Sequence, residues 1–144
     1  MRNLVNVKEL QKDDYDNGIF ILLQSLTKAP KIPRVCFDTF VTSLGDTHQV
    51  FVIRNSDEAV VAAATCLIES KLIRGGQGVA HVEDVVIHPD YRKRGLASRL
   101  LSHIVSHALK MNCYKVILNC SEANTSFYQK HKFKKVDNGM AIYF

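Results

Sequence analysis

The chain has 144 residues, 47% of them hydrophobic and 23% charged, with a formal net charge of +5. That length and balance suit one globular domain over residues 1–144, with a sizeable core. No apolar run approaches the roughly 18 residues of a membrane span, and Met1–Glu9 carries no apolar signal core, so a cytoplasmic protein is expected.

In chain order, Leu4 to Leu10 alternates weakly and suggests a first strand. Asp13 or Asp14 can cap a helix whose buried face is Tyr15, Ile19, Leu22, Leu23 and Leu26, with Thr27 just past its end. Pro30 and Pro33 break the chain. Val35 to Leu44 predicts a second helix with Val35, Phe37, Phe40, Val41 and Leu44 apolar and Gly45 as its stop. Val50–Ile53 and Glu58–Ile68 read as strands around the turn Asn55-Ser56-Asp57, an antiparallel hairpin. Glu69 to Gly78 is a loop ending in Gly75-Gly76-Gln77-Gly78, which argues for mobility or a close approach.

The stretch from Val82 to Leu101 joins three pieces. Val82–Ile87 has the β-branched density of a strand, and His88-Pro89-Asp90 breaks it. Beyond Gly95, Leu96, Leu100, Leu101, Ile104, Val105, Ala108 and Leu109 follow one helix face. Arg92, Lys93 and Arg94 crowd the start of that helix, where the dipole is already positive. An anion there would explain them, and so would a solvated basic turn.

Lys115 to Cys120 is a further strand, so strand–helix–strand predicts a parallel crossover. A short helix runs through Phe127 and Tyr128 to about His131. Phe133–Val136 and Met140–Phe144 read as closing strands. The order is mixed α/β. Cys36, Cys66, Cys113 and Cys120 lack metal spacing, and three lie in apolar surroundings, so buried free thiols are expected. His103 and His107 share i, i+4 spacing, but no third ligand accompanies them. A solvent-facing pair and no metal are expected. The charge is too mild to imply nucleic acid without a concentrated basic stripe or an aromatic platform.

Arg92-x-x-Gly95-x-Ala97 between strand and helix resembles the acetyl-CoA pyrophosphate loop of the GNAT superfamily of N-acetyltransferases. Val82-Glu83-Asp84-Val85-Val86, Cys113-Tyr114-Lys115-Val116-Ile117-Leu118 and Asn124-x-x-Phe127-Tyr128 are similar to its glucosamine-6-phosphate N-acetyltransferase branch. Leu26-Thr27 and Lys71-Leu72-Ile73 add weaker support. The likeness extends from Thr27 onward.

The resemblance implies a twisted mixed sheet, flanked by helices, that splays beside its central strand. Pantetheine would lie in the splay against Val85, Val86 and Ile87, and Arg92, Lys93, Arg94, Gly95, Leu96 and Ala97 would form the pyrophosphate loop, with amides from Lys93 to Ala97. It also implies a homodimer and a product on the way to UDP-N-acetylglucosamine.

An amine attacking a thioester needs a proton acceptor, donors for the oxyanion and a proton for the thiolate, but no covalent intermediate. The resemblance places Glu83 and Asp84 at the sugar, with Glu83 receiving the amine proton directly or through water. Adjacent strand residues point to opposite faces, which only a bulge relaxes. Tyr128 is the expected acid, and Asn124, one turn earlier, binds pantetheine or caps the helix. An amide near Val86 is the expected oxyanion donor. Thr27, Lys71, Ile73, Arg74, Tyr114 and Lys115 match positions near the sugar phosphate.

Two residues depart from the pattern. Asn119 stands where the family usually has a carboxylate, and Tyr143 where it tends to carry a phosphate-binding arginine. Asn119 can accept a hydrogen bond but not the proton, and Tyr143 brings no charge. They leave open an acetyltransferase for another small amine or a protein N-terminus. A non-catalytic acyl-CoA-binding module is a third possibility, opposed by Glu83, Asp84 and Tyr128.

Overall fold

A computed structural model describes residues 6–144. Strands β1 (Lys8–Glu9), β2 (His48–Arg54), β3 (Val60–Glu69), β4 (Gly78–Ile87) and β5 (Cys113–Ile117) form one sheet in that spatial order. The first three pairings are antiparallel and β4–β5 is parallel. Helix α3 (Leu96–Lys110) is the crossover between β4 and β5. Helices α1 (Ile19–Gln24) and α2 (Arg34–Ser43) cover the other face, and α4 (Thr125–Lys130) follows β5.

Both faces of the sheet are buried at its centre. Leu96, Leu100, Leu101, Ile104 and Ala108 of α3 pack on Phe51, Ala62, Ala64, Ala80 and Val82. On the opposite face Ile19, Leu22 and Phe37 meet Val50, Val52, Ala63 and Val86. The run Ala62-Ala63-Ala64 is buried on both sides, where small side chains let helices approach closely.

The predicted first helix is two pieces. A 3₁₀ turn, Lys12–Tyr15, is separated from α1 by Gly18 at φ 91°. Asp14 is 1% exposed, accepts the Gln11 N–H at 2.7 Å and receives Arg54 Nε at 2.8 Å. It therefore caps a turn and anchors it to β2. β1 covers only Lys8–Glu9 of the predicted first strand, and Leu4 and Val5 lie outside the described residues. Leu26, Val35 and Phe40, expected inside, are exposed. Gly45 does not end α2 as a left-handed cap. Instead it bridges to His48 and leads into β2.

β5 ends at Ile117, short of the predicted Cys120. Phe133–Val136 and Met140–Phe144 are not strands: among the described residues neither segment pairs with the free edge of β4 or of β5. Met140, Ile142, Tyr143 and Phe144 are at least 83% exposed. All four cysteines are free, but Cys36 and Cys120 are exposed; burial pushes the Cys66 thiol up to about 11. His103 and His107 are not simply solvent-facing. Their rings meet Phe51 at 4.5 and 5.6 Å, and burial lowers the His103 pKa.

Candidate active site

β4 pairs with β5 only from Gly78 to His81, then runs on to Ile87 beside no further residue of β5. That is the expected splay. The His88 N–H donates to Val61 O at 2.8 Å, on the β3 side. Alternation then turns the Val86 N–H toward β3 and those of Val85 and Ile87 toward the open side. Of these amides, those of Val85 and Ile87, rather than that of Val86, are therefore open to a ligand.

A bulge interrupts β4 at the two carboxylates. Ala63 pairs with Val86 and Thr65 with Glu83, so Asp84 and Val85 together oppose Ala64. Asp84 takes φ 51°, a left-handed conformation that aspartate tolerates better than most residues. Val82 and Val85 both pack toward α3. Glu83, paired with Thr65, faces away from α3, Asp84 is the bulged residue beside it, and both are exposed.

The loop before α3 is shaped for an anion. Lys93 has φ 61° and Gly95 has φ 77°. Such alternation gathers successive N–H groups into a concave nest at the start of α3. A Cβ on Gly95 would meet no atom within 4 Å, so the site is open on that side and glycine is set by backbone angle. Leu96 is buried and Ala97 half-buried, anchoring the helix, while Arg92, Lys93 and Arg94 stay exposed. Arg94 lies 4.9 Å over the Tyr91 ring, and the Tyr91 hydroxyl accepts from Asn55 Nδ2 at 3.1 Å. The β2–β3 turn thereby braces this loop. The free β4 edge and the cationic nest fit the pantetheine and pyrophosphate of acetyl-CoA.

Tyr128 is half-buried on α4, edge-on to Phe127 at 5.1 Å and Phe133 at 5.9 Å. Burial first, then the neighbouring Cys120, raises its pKa, so the phenol keeps its proton at neutral pH. Tyr128, Asn119 and Cys120 line a cavity of about 680 Å³ between β5, α4 and the C-terminal segment. That segment crosses Asn119 closely: a Cβ on Gly139 would lie 3.2 Å from Asn119 Oδ1. Asn124 precedes α4, is exposed and makes no capping hydrogen bond, which leaves its side chain for a ligand.

Three of the proposed phosphate residues converge. Arg74 and Lys115 flank the Tyr114 ring at 5.2 and 5.6 Å. Lys71 instead pairs with Glu69 at 3.0 Å. Ile73 and Thr27 are exposed, the latter at the end of α1. Tyr143, 92% exposed, joins none of these clusters. Sequence reasoning passed over Glu69 and His81, which meet at 3.0 Å across β3 and β4. Only the strand register brings them together. Among the described residues no group of three or more His, Cys, Asp or Glu is placed to hold a metal.

The model of the acetyltransferase (GNAT) family matches residues 7–133. A glucosamine 6-phosphate N-acetyltransferase of Trypanosoma brucei brucei is 39% identical over 141 residues, 96% of this chain and 95% of that protein. A probable glucosamine 6-phosphate N-acetyltransferase 2 of Oryza sativa is 36% identical over 147 residues, covering 97% of this chain and 88% of the relative. The crystal structure of glucosamine-6-phosphate N-acetyltransferase from Arabidopsis thaliana superposes with a TM-score of 0.92 at 30% identity, over 96% of this chain and 97% of that one. With the splayed sheet and the anion nest already described, this match shows that the chain belongs to the GNAT acetyltransferase family.

Proposed function

We propose that this protein transfers the acetyl group of acetyl-CoA to the amine of glucosamine 6-phosphate, with residues 1–144 acting as one domain. The observation that carries the reading is the β4 bulge, which sets the exposed Glu83 and Asp84 side by side where β5 diverges. Named relatives on two kingdoms' branches, plant and trypanosome, support the acceptor.

Acetyl-CoA supplies an activated acyl carbon, and the chain's own groups do the rest. Backbone amides of the Lys93–Ala97 nest and the cations around it hold the pyrophosphate. Asn124 binds pantetheine. Glu83 receives the proton that the attacking amine loses, directly or through water. The N–H of Val85 or Ile87 donates to the carbonyl oxygen as charge develops there. Tyr128 gives its proton to the departing sulfur. One C–N bond forms, one C–S bond breaks, and the proton balance closes through Glu83 and Tyr128. Asp84, Asn119 and Thr27 orient the sugar. Lys71, Arg74 and Lys115, with Ile73 and Tyr114 beside them, bind its phosphate.

The same reading makes the product an intermediate toward UDP-N-acetylglucosamine, in the cytoplasm. It also makes the enzyme a homodimer, supported by the exposed apolar C-terminal segment. Among the described residues no helix is long and apolar enough to cross a membrane.

A second reading, acetylation of another small amine or a protein N-terminus, draws on Asn119 and on Tyr143 standing apart from the cations. A panel of amines decides between them. Glucosamine 6-phosphate should give the highest kcat/KM, and a faster unphosphorylated amine or peptide would replace it as acceptor.

A further inference from the structure

Lys71, one of the three cations assigned above to the acceptor's phosphate, lies on the loop after β3, and a lysine ammonium on a flexible stem is poorly directed by itself. Here it is held. Glu69, at the end of β3, offers one carboxylate oxygen to each of two partners: Oε2 meets Lys71 Nζ at 3.0 Å and Oε1 meets His81 Nε2 at 3.0 Å. Glu69 pairs in register with Val79, so His81 lies on the diagonal of the same sheet face. His81 pairs across β5 with Ile117 and stands two residues before Glu83, on that face too. One carboxylate therefore ties the loop cation to the strand carrying the proposed base.

The hydrogen bond from His81, followed by Lys71, lowers the Glu69 pKa, so the group is ionised and only accepts. His81 Nε2 must then carry the proton and donate. Arg74 and Lys115, the other proposed phosphate cations, have no carboxylate within ion-pair distance among the described residues and rest on Tyr114.

We propose that Glu69 is a positioning residue of the acceptor site, fixing the Lys71 ammonium for the acceptor's phosphate through a carboxylate shared with His81. The inference rests on the acceptor reading above. It also runs against simple charge counting, in which an acid beside a phosphate site only weakens it.

The test is steady-state kinetics of Glu69→Ala, Lys71→Ala and the double variant with glucosamine 6-phosphate and with glucosamine. Glu69→Ala should raise KM for the phosphorylated sugar about fivefold, the scale of one exposed ion pair. It should leave kcat, KM for acetyl-CoA and the rate on glucosamine unchanged. In the Lys71→Ala background the Glu69 change should have no further effect, because Glu69 acts through Lys71. Glu69→Gln, which keeps the side-chain size, should fall between and serves if the alanine variant folds poorly. A lower or unchanged KM, an equal loss on both sugars or additive effects in the double variant would overturn the positioning role alone. Wild-type protein with no preference for the phosphorylated sugar would overturn the acceptor reading and this role with it.

Discussion

Val82 and Val85 pack on the same face of β4 although they stand three apart in the chain. Regular alternation would put them on opposite faces. The extra residue at the bulge, Asp84, slips the phase. The slip comes just beyond the last pairing with β5, where the edge of β4 is free.

Glu83→Gln should lower kcat about 10²- to 10⁴-fold, the usual scale for losing a general base, while acetyl-CoA affinity stays the same. Stopped-flow thiol release and equilibrium acetyl-CoA binding measure the two quantities. Asp84→Asn should act mainly on KM for the sugar.

Tyr128→Phe should lower turnover far more than acetyl-CoA affinity, because its proton matters as thiolate leaves. The pH profile adds a signed expectation. Burial and Cys120 raise the phenol pKa, so the proton-donating form persists past the ordinary tyrosine range and is lost as pH rises through the raised value. The wild-type alkaline limb assigned to this group therefore lies above about pH 10, and the phenylalanine variant lacks it. Unchanged turnover in Tyr128→Phe would make Tyr128 a packing residue against Phe127 and Phe133.

Gly95→Ala places an L side chain at φ 77°, which costs about 1–2 kcal/mol. Since no atom obstructs the Cβ, the cost is backbone strain in the nest. KM for acetyl-CoA should rise about tenfold with little change in kcat once saturated. Titration with desulfo-CoA by calorimetry reads the same loss without turnover.

Asp14→Asn should destabilise the fold by about 3 kcal/mol, because it leaves the Arg54 guanidinium without its carboxylate. Chemical denaturation measures this, and kinetic constants per folded molecule should hold. The Asp14 hydrogen bond raises the Arg54 pKa. That contribution holds from neutral pH up to the ordinary arginine range and is lost as pH rises through the raised value.

Asn119→Asp restores the carboxylate usual in the family and should keep or raise activity near neutral pH. The change is isosteric, so the close passage of Gly139 beside this side chain survives it. Collapse of activity in a folded variant would mean that the amine site is built differently here.

Much of this was legible in the sequence where local chemistry decides. Apolar runs rich in valine, alanine and β-branched residues marked β2, β3 and β4, the leucine spacing marked α3, and Arg92 to Ala97 marked the nest. The left-handed turn at Gly18 splits the first helix, and Asp14 is held by Arg54 of β2, a contact that no local pattern shows. The apolar C-terminal alternation failed as strand evidence because a strand needs a partner in register, which no local pattern supplies. Glu69 and His81 were hidden for the same reason: their proximity exists only in the β3–β4 register. The Glu83–Asp84 arrangement was half legible, since the need for a bulge followed from alternation but its presence did not.

The most direct test is CoA release by the purified protein from acetyl-CoA with glucosamine 6-phosphate against unphosphorylated glucosamine at equal concentration. Release with the phosphorylated sugar at least tenfold faster is the predicted result. Equal rates on both sugars, or none on either, would contradict it.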